Sequence, residues 1–165
     1  MVNLKLAKYE DYDFYYALKC EKDNVYWSGY SSKPNYEHLK LIFDKWIEEM
    51  LEHDKRKVYM INFNDLMSGY VYISPADSNE AEISIGVSDR FSGHGIGTNA
   101  LIEAIGLMRK QGSRVLNAYV MEDNQRSIHV FKKSGFIEDE DGTVFSHPEN
   151  RREQVKMLKF TYDLF

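Results

Sequence analysis

Four of the ten glycines fall between Gly86 and Gly97, in the stretch IGVSDRFSGHGIGTNAL that begins at Ile85. A strand, a glycine-rich loop and a helix start, in that order, form a cradle for an anion. Glycines let backbone N–H groups approach phosphate oxygens, and the helix N-terminus adds the positive end of its dipole. The first turn, Ile96 to Asn99, carries no Asp or Glu, which leaves its N–H groups for an external anion. Arg90 and His94 lie close enough in sequence to add positive charge. The bland alternative is a tight strand-to-helix turn without a ligand. A Walker loop is excluded, because no Gly-Lys-Ser/Thr tripeptide occurs. Gly95 to Ala100 matches the loose dinucleotide pattern G-x-G-x-x-A, but seven residues separate Val87 from Gly95. A Rossmann glycine follows its strand directly, so that reading fits poorly.

Composition sets the frame for this loop. A chain of 165 residues with 43% apolar and 28% charged side chains reads as one globular domain spanning residues 1–165. No apolar run approaches a membrane span and no signal-peptide pattern follows Met1, so a soluble cytoplasmic protein is expected, with no membrane partner. The lone Cys20 cannot build a disulfide framework and suits a reducing compartment, where it reads as a helix residue rather than a nucleophile. Five histidines show no zinc-ligand spacing, and no metal is expected. The net charge of −5 argues against nucleic acid as a partner. Its distribution is uneven: Ser84–Ile137 holds seven Lys/Arg against four Asp/Glu, or +3, leaving −8 on the rest.

Patterning then gives the elements that must position the loop. Val2–Leu6 reads as a short strand, Glu10–Lys19 as a helix, and Asn24–Pro34 as a loop rich in Tyr, Ser and Gly. After Pro34, Leu39, Ile42, Phe43, Trp46, Ile47 and Met50 follow the i, i+3, i+4, i+7 rule of an amphipathic helix. Lys57–Asn62, Ser68–Ile73 and Ala81–Val87 read as an antiparallel meander, with turns at Phe63–Met67 and Pro75–Asn79. Gly95–Gln111 is helical and ends at Gly112. Val115–Met121 is a strand, Asn124–Ser134 a helix closed by Gly135, and Gln154–Phe160 a last strand, while Ile137–Asn150 has no clear pattern. The fold class is α/β (α+β): a mixed, mostly antiparallel sheet flanked by helices.

The chain resembles the GNAT superfamily of acyl-coenzyme A-dependent N-acyltransferases over nearly its whole length. The family's Arg/Gln-x-x-Gly-x-Gly/Ala loop falls on Ser92, Gly93, His94, Gly95, Ile96 and Gly97, followed by Thr98. Ala81–Val87 looks like the family's fourth strand. Asn124-Gln125-Arg126-Ser127 through Gly135-Phe136 is similar to its Asn-x-x-Ala/Ser … Gly-Phe ending. Two departures stand out: Ser92 replaces the usual Arg or Gln, although Arg90 offers a shifted match, and Phe131 replaces the tyrosine that protonates the leaving thiolate in many members.

The resemblance implies transfer of an acetyl group from acetyl-coenzyme A to a primary amine of a small molecule or peptide. Backbone N–H groups from Ser92 to Thr98 would hold the pyrophosphate, and the edge of Ile85, Gly86 and Val87 the pantetheine arm. Asn124 and Ser127 would meet that arm, and Lys133 or Lys132 the 3′-phosphate. Glu82 shares a strand face with Ser84 and Gly86 and is the candidate base. Gly86 would allow close approach or a bulge, or simply make room for a packed neighbour. Tyr119, Tyr26, Tyr30 and Tyr36 are the candidate acids in place of Phe131. In this fold the first two helices and their connection line the acceptor site, which puts Tyr26, Trp27 and Tyr30 there, and the −8 remainder would suit a cationic amine. A homodimer is compatible with this reading. The alternative function is a non-catalytic acyl-coenzyme A sensor on the same scaffold, suggested by Phe131.

Overall fold

The computed structural model describes residues 1–53, 56–77 and 79–165. Seven strands form one sheet: β1 (Val2–Leu6), β2 (Lys57–Phe63), β3 (Leu66–Asp77), β4 (Glu80–Val87), β5 (Val115–Met121), β6 (Ile137–Ser146) and β7 (Val155–Asp163). Their spatial order is β1-β2-β3-β4-β5-β7-β6, antiparallel throughout except where β4 meets β5. The helices are α1 (Tyr12–Lys19), α2 (Lys22–Trp27), α3 (Tyr36–His53), α4 (Ile96–Lys110) and α5 (Gln125–Lys133). None of the described helices is long and apolar enough to cross a membrane.

The period-2 alternation of β2 and β3 splits the core in two. Tyr59, Ile61, Val71 and Ile73 face α4 and α5, joined there by Ala81, Ile83, Leu116, Ala118, Val120 and Phe160. Val58, Met60 and Tyr70 face α1 and α3, meeting Tyr12, Tyr15, Leu18, Leu39, Phe43, Ile47 and Met50. The second face is built of rings: Tyr15 packs edge-on to Tyr70 at 5.1 Å and against Phe43 at 5.0 Å. Burial pushes the Tyr12 phenol up to about 12 and that of Tyr15 higher still. The α3 stripe lies where its spacing placed it, with Leu39, Phe43, Ile47 and Met50 buried.

The meander is present, closed between β2 and β3 by a two-residue turn in which Asn64 and Asp65 both take positive φ, 50° and 64°. Several boundaries differ from the sequence reading. The first helix opens as a 3-10 turn over Tyr9–Asp11 before α1. β3 runs on to Asp77, so Pro75 lies within a strand, at a register shift between Pro75 and Asp77; Ser78 of the expected turn is outside the described residues. Ile137–Ser146 is an edge strand whose pairing with β7 is interrupted between Asp139 and Val144, which explains its weak pattern.

The largest correction is α2, Lys22–Trp27, which takes the first four of the eleven residues of the expected Asn24–Pro34 loop. Its six residues, KDNVYW, bury none of their side chains and show no apolar period. Tertiary contacts hold it instead. The Glu21 carboxylate, just before α2, accepts from Ser88 Oγ and from Asp89 N–H, each at 2.9 Å, tying the helix to the end of β4. Asn150 Nδ2 donates to the Tyr26 carbonyl at 2.9 Å, and the Arg151 guanidinium lies over the rings of Tyr26 (4.8 Å) and Trp27 (5.8 Å).

Candidate active site

β4 and β5 pair in parallel only from Glu80↔Val115 to Glu82↔Asn117; past that point no pairing joins them. The strands splay, leaving the Ile83–Val87 edge of β4 open toward Ala118–Met121 of β5. Ser88 N–H donates to the Ser68 carbonyl on β3 at 2.8 Å. Backbone alternation therefore turns the Gly86 N–H toward β3 and those of Ile85 and Val87 toward the open edge.

Three connected hollows follow that edge. The first, about 570 Å³, lies over the glycine loop and is lined by Val87, Gly93, Gly95, Gly97 and Thr98 on one side and Arg126, His129 and Lys133 on the other. A waist of about 140 Å³ shares Val87, Gly97, Arg126 and Val130 with it and continues past Ile85, Gly86, Asn124 and Ser127. The third hollow, about 320 Å³, penetrates the sheet between the splayed strands. Lys19, Asn24, Trp27, Ser28 and Tyr30 come from the α1–α2 side; Tyr70, Ile83, Ser84, Tyr119 and Met121 come from the sheet, and Phe131 from α5.

The loop has the conformation its glycines allow. Gly93 and Gly95 take φ of 82° and 71°, a region costly for residues with a Cβ. At Gly97 a Cβ would stand 3.3 Å from Val130 Cγ1, so this glycine lets α4 close on α5. The first helical bond of α4 is Asn99 N–H to the Gly95 carbonyl at 3.1 Å. Among the described residues, the N–H groups of Gly93 through Thr98 donate to no protein acceptor. Ser92 is different: its N–H and Oγ both donate to the Asp89 carbonyl, at 3.2 and 3.0 Å. On α5, Arg126, His129 and Lys133 stand at i, i+3 and i+7, two cations and an imidazole on one face turned to this loop, whereas Lys132 is not in its lining. That helical spacing was legible in the sequence and would have added Arg126 and His129 to the expected set.

Other expected residues separate into those that reach the groove and those that do not. Asn124 caps α5, its Oδ1 accepting from Ser127 N–H at 3.2 Å, and also lines the waist, so its amide nitrogen is the part left for a ligand. Trp27 and Tyr30 line the inner hollow, but Tyr26 does not: its ring is half-exposed under Arg151 as a strut for α2. Tyr36 donates to Asp13 Oδ1 at 2.6 Å, on the far side of α1. Tyr119 lines the inner hollow, as does Tyr70, which the sequence reading did not single out. The side chain of His94 lies 5.6 Å from the Phe63 ring and that of Arg90 over Phe91, both outside the loop hollow. Phe131 is buried against Phe136 and Phe160 with one side on the cleft. Gly86 makes room for a neighbour rather than a bulge: a Cβ there would stand 2.4 Å from Tyr70 Cε1, and the β3–β4 register runs unbroken past it. Glu82 is exposed, one step down the same strand face from Ser84 and outside the wall of the hollow.

Comparison with known proteins agrees with this geometry. The chain aligns at 29% identity over 124 residues with an uncharacterised N-acetyltransferase of Methanocaldococcus jannaschii, covering 70% of this chain and 55% of the relative, so it spans about half that protein's length. Its fold matches that of the spermidine N-acetyltransferase of Vibrio cholerae, solved with CoA and spermine, at a TM-score of 0.84 and 12% identity over 99% of this chain and 95% of that one. A ribosomal-protein-alanine N-acetyltransferase of Brucella melitensis matches at 0.79, with 21% identity over 98% and 99% of the two chains. The Acetyltransferase (GNAT) family model covers residues 12–136 of the 165, and the chain belongs to that family.

Proposed function

We propose that the protein is an N-acetyltransferase that moves an acetyl group from acetyl-coenzyme A to a primary amine. The observation that carries this reading is the unbroken groove: N–H donors with no protein acceptor at one end, an open strand edge along it, and a polar hollow through the sheet at the other. The residues fit the group. Gly93 to Thr98 supply backbone donors for a pyrophosphate, Arg126 and Lys133 oppose them with positive charge, and His129 adds a ring N–H. Ser92, whose N–H already serves Asp89, shapes the loop rather than donating. The Val87 N–H suits an extended amide-bearing arm, which would pair as an added strand, with Asn124 and Ser127 beside it. When bound, acetyl-coenzyme A supplies the activated thioester.

The chain's own residues do the rest. The Ile85 N–H, on the open edge where the waist meets the inner hollow, is placed to polarise a carbonyl there, and the apolar side chains of Ile83, Ile85 and Phe131 strengthen that dipole by keeping water from it. Glu82 takes the ammonium proton through a water that Ser84, the intervening residue on its face, helps to hold. Phe131 has no proton to give, so Tyr30, Tyr70 and Tyr119 are the phenols in reach of a departing sulfur. A thiol with a pKa near ~8.5 leaves with modest help. The half-buried Cys20 suits a reducing compartment such as the cytoplasm.

Thiol release from acetyl-coenzyme A across a panel of amines tests the reading. Turnover is expected, and Glu82→Gln should lower kcat on the order of 10²-fold with coenzyme A binding retained. Unchanged turnover at every pH would remove Glu82 from the mechanism. Tight binding with no turnover of any amine would instead favour a sensor, the role to which the missing hydroxyl at residue 131 points.

A further inference from the structure

Lys19 is the one cation in the wall of the inner hollow, and it is 8% exposed. Its Nζ donates to Ser28 Oγ at 2.8 Å and stands 5.7 Å over the Tyr30 ring and 5.8 Å over the Tyr70 ring. Among the described residues, no carboxylate lines that hollow and Lys19 has no ion-pair partner. The nearby Glu21 is committed to Ser88 and Asp89. An ammonium carries three donors, and a buried one is costly unless paired. Of the acids in the −8 remainder, Asp23 lines the waist and Glu82 stands one step outside the inner hollow, and neither is in the wall that holds Lys19. The expectation of a cationic acceptor therefore does not match the wall that would meet it.

We propose that the amine acceptor also carries an anionic oxygen group, a carboxylate in the first instance, and that Lys19 is the specificity-determining residue that binds it. This rests on the N-acetyltransferase reading. A carboxylate would complete the pairing that the protein leaves open, as Ser28 and Tyr30 hold the ammonium in place. A polyamine would instead bring a second ammonium against Lys19, a like-charge contact that selects against it. The same positive charge lowers the acceptor's own pKa and so enlarges the neutral, nucleophilic fraction of its amine. Met121, Met157 and Trp27 form an apolar patch in the otherwise polar wall, which suits an amino acid with an apolar side chain.

The experiment measures kcat/KM with saturating acetyl-coenzyme A for L-methionine, L-phenylalanine, L-glutamate and an aminophosphonate. Methioninamide, phenylalaninamide and spermidine complete the panel. The acids should exceed their amides by at least about tenfold, and spermidine should be poor. Lys19→Met should collapse that ratio mainly through KM of the acids, and Lys19→Arg should restore most of it; comparing ratios cancels the differing basicity of the amines. Were Lys19 only a structural tie, Lys19→Met would depress acids and amides alike, which would overturn the proposal. So would a wild-type preference for amides or spermidine, a result that needs no variant and leaves the enzyme reading standing. If acetyl-coenzyme A raises the melting temperature but no amine on the panel is acetylated, the enzyme reading falls, and the proposal with it.

Discussion

The two ends of the groove are built from different materials. At the glycine-loop end the recognition groups are main-chain N–H donors, fixed by two left-handed glycines and one helix start within six residues of chain. Two α5 cations, Arg126 and Lys133, add charge. At the inner end almost everything is side chain: Lys19, Trp27, Tyr30, Tyr70, Ser84, Tyr119 and Phe131 come from α1, α2 and the connection after it, three strands and α5. One end can serve any ligand with a pyrophosphate. The other is free to change its ligand by single substitutions, since no backbone geometry depends on most of those residues. A common cofactor and a variable acceptor would divide along this line.

Substitutions at the loop end should break that contrast most sharply. Gly95→Asp places a Cβ at a φ of 71° and a carboxylate among the unpaired N–H groups. Coenzyme A affinity should fall on the order of 10²–10³-fold, readable by titration calorimetry, from like-charge contact and lost backbone geometry together. At the inner end the corresponding close contact is between side chain and backbone. Gly86→Ala drives a methyl to 2.4 Å from the Tyr70 ring. It should cost about 1–3 kcal/mol of stability, seen as a lowered Tm, with the acceptor KM affected more than coenzyme A binding. The smallest effect tests the side-chain share of the loop end. Arg126→Ala should weaken coenzyme A about tenfold and flatten the salt dependence of binding, as loss of one charge-assisted contact would. Equal losses at low and high salt would show that Arg126 does not face the phosphates.

The loop end was legible because its signals are local. Positive φ favours glycine, a helix start whose donors are left open carries no acid of its own, and a cap selects Asn124; each leaves its mark within a few residues. The paired faces of β2 and β3 and the stripe of α3 were legible for the same reason, since period 2 and period 3.6 are properties of neighbouring residues. α2 was not. Its KDNVYW segment has no apolar period, and it is helical because Glu21, Asn150 and Arg151 hold it from segments far away in sequence. Tyr26 and Trp27 show the limit at its sharpest: adjacent aromatics with the same sequence signal, one a strut under Arg151 on the outside and the other in the wall of the cleft.

By itself the sequence determined the glycine loop and the acid-free helix start after it, the helix caps, the two faces of the sheet and the family resemblance that joins them, because each is a demand that one short stretch of backbone makes on its own residues. Only the tertiary structure decided where β4 and β5 part, which tyrosines reach the gap, that Glu82 stands one step outside it, and that Lys19 lies within it without a carboxylate. Those outcomes depend on strands and helices tens of residues apart coming to share one volume, and side-chain placement in such a volume follows from packing and charge balance across elements rather than from spacing along the chain.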